Sequence, residues 1–180
     1  MFNSRAKGNK FERQVSLLMH RVICGAIRKS PDCPLIVRRR TTTVTPDDDF
    51  KGAGDLQIAK GVASKFAEMH NFLPCVECKA LSSVTLSSLL VPNKAVLSAW
   101  RQARGQANRA SDREGGFPHV PIVAFAIKRV GIAIVTESGV WDRLYTPQEE
   151  CGVRCIVAAY YMSFPDVYMY STLAVCEVPK

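Results

Sequence analysis

Two stretches of this chain repeat apolar residues at intervals of three and four, and most of the remainder is short β-branched runs broken by proline and glycine. That alternation of periods constrains the fold more than any single motif. Phe11, Val15, Leu18, Val22 and Ala26 make one apolar stripe, which predicts a helix from Gly8 to about Lys29. Val96, Trp100, Ala103, Ala107 and Ala110 make the second, predicting a helix from Asn93 to about Ser111 with Arg101, Arg104, Asn108 and Arg109 off the stripe. Strands are expected at Leu35–Thr43, Asp55–Lys60, Pro74–Leu81, Pro121–Lys128, Gly131–Glu137, Cys155–Met162 and Val167–Val178, with a short helix or a wide connection between Gly61 and Pro74. A helix with one buried stripe must lay it on another layer, and helices interleaved with strands lay it on a sheet. The expected fold class is therefore α/β, a mixed central β-sheet flanked by helices in the order αβββαβ. No repeat or linker composition divides the chain, so residues 1–180 are expected to form a single domain. Its motifs fall within 8–129, and the strands of 131–178 are an extension or an interface.

Charge narrows the partner. The 180 residues include 24 Lys+Arg against 16 Asp+Glu, a formal net charge of +8, with a pI near 9.3. Such a balance favours a polyanion, because each neutralised phosphate releases counterions. Nucleic acid is the leading expectation, since no basic amphipathic helix with bulky aromatic anchors supports a membrane surface. The longest apolar runs, around Val120–Ile127 and Ile156–Met162, fall far short of the ~20 residues that cross a bilayer. The opening MFNSRAKGNKFERQV has charges where a signal peptide needs its apolar core, so a cytoplasmic location is expected. The seven cysteines are read accordingly as reduced thiols.

The chemistry is concentrated at Asp55, Glu77 and Lys79, with Glu12 upstream. Side chains alternate along a strand, so Glu77 and Lys79 project from one face of PCVECKAL and Cys78 from the other. An acid and a base on one face of an apolar strand are costly to bury without a partner or a metal. Gly52-Ala53-Gly54 would let the backbone turn sharply and deliver Asp55 to the start of the neighbouring strand. Two carboxylates and a backbone carbonyl suit a hard, oxygen-seeking cation such as Mg²⁺. Lys79 can orient or deprotonate water, or neutralise charge building on a phosphate.

These residues stand in a set of segments, GNKFERQ (Gly8–Gln14), RRRTTT (Arg38–Thr43), GAGDLQIA (Gly52–Ala59), CVECKA (Cys75–Ala80) and AWRQA (Ala99–Ala103). The set resembles the PD-(D/E)xK nuclease superfamily, and within it the Holliday junction resolvases of archaea and phages. The resemblance implies a restriction-endonuclease-like core and a metal-dependent DNA endonuclease acting on branched DNA in recombination. It implies Glu12, Asp55, Glu77 and Lys79 as active-site residues, and Gln102 as the helical glutamine that many members carry nearby. The metal ligands it implies are Asp55, Glu77 and the backbone carbonyl of Cys78, with Glu12 as a further candidate. Mg²⁺ is the expected cofactor, Mn²⁺ its substitute, and no organic cofactor is called for. A homodimer is the family-level expectation, because symmetric cutting of a junction needs two active sites. The literal name motif would fall on Pro46-Asp47; Asp55 is preferred because it opens an apolar strand, whereas Asp47, Asp48 and Asp49 sit in a polar loop that could still contribute a ligand.

Plainer readings accompany each of these. Asp55, Glu77 and Lys79 could form a surface ion-pair cluster on an edge strand, and Glu12 a solvated helix residue. Gln102 is structural unless the sheet places it against Glu77. Arg38, Arg39 and Arg40 are read as phosphate contacts, against charges that merely discourage edge pairing. Arg101 and Arg104 are solvent-face charges first and DNA ligands second. A zinc site from Cys75, Cys78, Cys151 and Cys155 is disfavoured, because Cys75 and Cys78 face opposite sides of a strand. His119 is a minor candidate for a substrate contact. The alternatives to a junction-resolving enzyme are a non-catalytic nucleic-acid-binding domain of the same fold and a restriction-like or exonuclease member of the superfamily.

Overall fold

The computed structural model describes residues 4–28, 37–39, 50–51, 53–90, 93–137, 139–144, 155–164 and 167–176. The first apolar stripe forms helix α1 (Ser4–Ala26), which starts earlier than its periodicity required. Short strands β1 (Val37–Arg39), β2 (Phe50–Lys51) and β3 (Ala53–Gly54) follow, then β4 (Leu56–Ala59) and helix α2 (Lys60–His70). Asn71 stops α2 in the left-handed region, its N–H returning to the Ala67 carbonyl. Strand β5 (Leu73–Lys79), helices α3 (Leu86–Leu90) and α4 (Lys94–Arg113), and strands β6 (His119–Ile127) and β7 (Gly131–Glu137) come next. Helix α5 (Val140–Leu144) and strands β8 (Cys155–Phe164) and β9 (Val167–Cys176) complete the order.

The strands form two sheets. The large one runs β3-β5-β6-β7-β9-β8, and the small one β1-β4-β2. β3, β5 and β6 are parallel and the remaining pairs antiparallel, so the large sheet is mixed, as expected. The C-terminal strands are hydrogen-bonded into this same sheet, extending it beyond β7. Alternation along β5, β6 and β7 sorts the core onto two faces. Val76, Ile122, Ala124, Ile132 and Ile134 pack with α1, α2 and α5 through Val15, Leu18, Phe66 and Trp141. Val123, Phe125, Ala133 and Val135 pack with α3 and α4 through Leu89, Val96, Trp100 and Ala103. Helices therefore cover both sides of the sheet, the arrangement of a restriction-endonuclease-like α/β fold.

Two expectations change. The segment read as one strand, Asp55–Lys60, belongs to a chain that serves both sheets: β3 pairs with β5 in one, and β4 pairs with β1 and β2 in the other. Asp55 is the single residue between them. The cause is Gly54, whose φ of +84° bends the chain out of the large sheet. Between Gly61 and Pro74, where a short helix or a wide connection was expected, the chain forms the helix, α2. Of the strand expected at Leu35–Thr43, β1 is the described part; the segment with Asp47, Asp48 and Asp49 lies outside the described residues, as do Arg40 and Cys151. The seven cysteines are not all thiols either. Cys24, Cys75 and Cys78 are free, but Cys176 is disulfide-bonded, and the antiparallel register of β8 and β9 sets Cys155 opposite it.

Candidate active site

Strand β5 does most of the positioning. It lies between β3 and β6 and buries Glu77, so the plainer reading of a surface ion pair does not describe it. Its alternation turns Cys75, Glu77 and Lys79 toward α4, where Cys75 packs on Ala107 and Ala110. Cys78 packs on the opposite face, toward the α1 core. Glu77 is 2% exposed. Its Oε1 accepts hydrogen bonds from Lys79 Nζ at 2.5 Å and from Gln102 Nε2 at 2.7 Å. Lys79 Nζ also donates to Gln102 Oε1 at 3.0 Å, closing a triangle. The sheet and α4 thus bring Gln102 against Glu77, the condition on which its role beyond structure depended. Glu77 Oε2 is buried and, among the described residues, has no hydrogen-bond partner.

Asp55 reaches the same place from the edge of the strand. β3 covers β5 only at Cys75 and Val76. Past that point Asp55 takes over the edge, its N–H donating to the Val76 carbonyl at 2.7 Å and its Oδ2 accepting from the Cys78 N–H at 2.7 Å. In an extended strand the N–H and C=O of one residue point to the same side. The Cys78 carbonyl therefore faces the edge that Asp55 occupies. Gly54 is required for this approach, since a Cβ there would collide with the Val76 carbonyl oxygen. Burial pushes the Asp55 carboxyl up to about 6; the Cys78 N–H pulls the other way, while the neighbouring charges of Glu77 and Glu12 add to the rise. Glu12, half-buried on α1, is close enough for its charge to act on Asp55 and on Cys78.

Among the described residues no three His, Cys, Asp or Glu side chains converge as a ready metal cage. The donor set nonetheless fits a hard divalent cation. A buried carboxylate oxygen without a partner, Glu77 Oε2, is an acceptor held out of water, and burying one is costly unless something positive satisfies it. Asp55 and the Cys78 carbonyl lie on the adjoining edge. Mg²⁺ commonly takes one or two carboxylates and fills its shell with water and substrate phosphates. The thiols are poor ligands here, because burial pushes Cys75 up to about 12 and Cys78 well above the usual thiol range. With these two facing opposite sides of β5, they do not form half of a zinc site.

The other candidates stand on flanking positions of the same or neighbouring elements. Arg38 and Arg39 sit on β1, opposite Gln57 and Leu56 of β4. Arg101 is exposed on α4. Arg104 is near enough to Glu137 for its charge to oppose the upward push of burial on that carboxyl, which gives it a partner within the protein. His119 is buried, with Nε2 3.3 Å from Glu114 Oε2, and its register partner is Leu73. It thus stands at the other end of β5, four residues or roughly 13 Å from Glu77, and is no part of this cluster. The sequence reading missed Lys7, Lys10 and Lys128, which line a cavity beyond the end of β5; no spacing rule connects residues so far apart in the chain.

A family model described as "Phage putative PDDEXK endonuclease" matches residues 3–156. No curated protein and no solved structure matches the chain significantly. The span of the family match takes in α1, β5 and α4, the elements on which Glu12, Glu77, Lys79 and Gln102 stand, and it makes the chain a member of this phage PD-(D/E)xK endonuclease family.

Proposed function

We propose that the chain is a divalent-metal-dependent endonuclease that hydrolyses phosphodiester bonds in DNA, with Asp55, Glu77, Lys79, Gln102 and Glu12 as its active-site residues and branched DNA as its substrate. The observation that carries the proposal is Glu77, a buried carboxylate with two donors on one oxygen and none on the other, beside Asp55. Asp55, Glu77 and the Cys78 carbonyl would hold Mg²⁺ or Mn²⁺, which would supply Lewis acidity for phosphodiester hydrolysis. Lys79, held by Glu77 and Gln102, presents an ammonium to the charge that accumulates on phosphorus as water adds and the ester P–O bond breaks. The products are one phosphate monoester end and one hydroxyl end. Gln102 keeps Glu77 and Lys79 in fixed orientation, and Glu12 approaches from α1.

The preference for four-way junctions rests on the motif resemblance, and the homodimer on the need for two cuts. Among the described residues no helix is long and apolar enough to cross a membrane. The proposed place of action is the cytoplasm, where prokaryotic and phage DNA is found.

The test is incubation with labelled four-way junction, flap, duplex and single-stranded DNA in Mg²⁺, Mn²⁺, Ca²⁺ or EDTA. Cleavage is expected with the first two, binding with little cleavage in Ca²⁺, and no cleavage in EDTA. Asp55→Asn and Glu77→Gln should each reduce cleavage by orders of magnitude while metal-free DNA binding stays the same or tightens. Lys79→Met should lower turnover while metal binding survives. Cleavage by Glu77→Gln at the wild-type rate would overturn the site; DNA binding with no cleavage in any metal would leave the non-catalytic alternative.

A further inference from the structure

A cavity of about 320 Å³ opens where β5 and β6 end, and none of the residues described above as active-site candidates lines it. Its position is next to theirs. Phe11 adjoins Glu12 on α1, Ala80 follows Lys79, and Ile127 lies two residues beyond Phe125, the register partner of Lys79. In open α/β sheets, ligands bind outside the carboxyl ends of the strands, and this volume falls at the lower end of the range for small-ligand sites. The lining has two characters. Leu81, over the buried Phe11 and Ile127, gives an apolar floor, while Lys10 and Lys128 supply amines from α1 and the β6–β7 turn, with Lys7 beside them. Among the described residues that line it there is no Asp or Glu. Leu81 is 37% exposed, an apolar side chain left at the mouth.

We infer that this cavity is a subsite for one unpaired nucleotide of the DNA strand being cut, its base on the apolar floor and its phosphates among the lysines. The location beside the scissile bond rests on the nuclease reading above; the binding itself does not. Lysines without an apolar floor would suit any duplex backbone. An apolar floor adds contact only for a base whose face is free, which a paired and stacked base does not offer. The combination therefore selects DNA with an unpaired nucleotide, such as a flap or a branch point whose base pairs have opened. Charge complementarity favours this occupant over an acidic or apolar peptide, which would leave either the floor or the phosphate-binding amines unused.

The experiment uses the full chain in EDTA and measures affinity for three labelled probes of one sequence. One is a duplex, one a duplex with a single unpaired nucleotide, and one the same with that nucleotide abasic. The wild type should prefer the unpaired nucleotide over the plain duplex by at least about fivefold, and the abasic probe should lose that preference. Leu81→Ser, at an exposed position, should abolish the preference while circular dichroism shows the fold retained. Lys10→Ala and Lys128→Ala should each lower the slope of log K against log salt by ~0.7–0.9. Equal binding of all three probes by the wild type, or an undiminished preference in Leu81→Ser, overturns the subsite. Cleavage is read separately in Mn²⁺. A chain that shows the preference and never cuts keeps the subsite and loses the nuclease reading, whereas a chain that cuts and binds all probes alike does the reverse.

Discussion

Glu77 is satisfied on one oxygen by side chains from two elements, so the smallest perturbation of the cluster is to remove Gln102, which is exposed and carries no core. A hydrogen bond to a charged group contributes about 1.5–3 kcal/mol. Gln102→Ala should therefore lower the cleavage rate by about tenfold or more with DNA affinity retained, as single-turnover cleavage and a binding titration would show. Gly54 is the second sensitive position. A Cβ in the left-handed region costs ~1–2 kcal/mol before its collision with the Val76 carbonyl is counted. Gly54→Ala should lower the urea midpoint and abolish cleavage together, because Asp55 is the next residue. A destabilised variant that still cuts at the wild-type rate would mean that Asp55 does not need this approach.

Helix α4 carries Gln102 and also covers one face of the sheet, so its end should report on stability. The Asn93 side chain accepts from the N–H groups of Ala95 and Val96 at 3.0 and 3.1 Å, capping the helix. Asn93→Ala should cost about 1 kcal/mol, read from urea unfolding. This helix was legible in the sequence because five apolar residues repeat at its period, and β5 and β7 were legible because their apolar runs are bounded by turns. The acidic pair and lysine were legible as a spacing, and alternation correctly put Glu77 and Lys79 on one face. What a linear reading could not give was the parting of β3 from β4. A two-residue strand has no periodicity, and which sheet each segment joins depends on partners distant in the chain. The five-residue helices α3 and α5 escaped for the same reason, being too short to repeat a stripe.

Across the whole molecule, the excess of positive charge predicts that salt should weaken DNA binding steeply. Arg38→Ala and Arg40→Ala should each lower the slope of log K against log salt for duplex DNA by ~0.9, with no dependence on base sequence. Unchanged slopes in both would remove that segment from the DNA surface. The two sheets also impose a rule on chain length. One residue separates the last rung that β3 makes with β5 from the first that β4 makes with β1. An inserted or deleted residue there has nowhere to be absorbed, because a slip of one position in β4 would turn Leu56 and Ile58 out of the core, and a slip in β3 would take Gly54 off its rung opposite Val76. The junction therefore behaves as a fixed spacer, intolerant of indels.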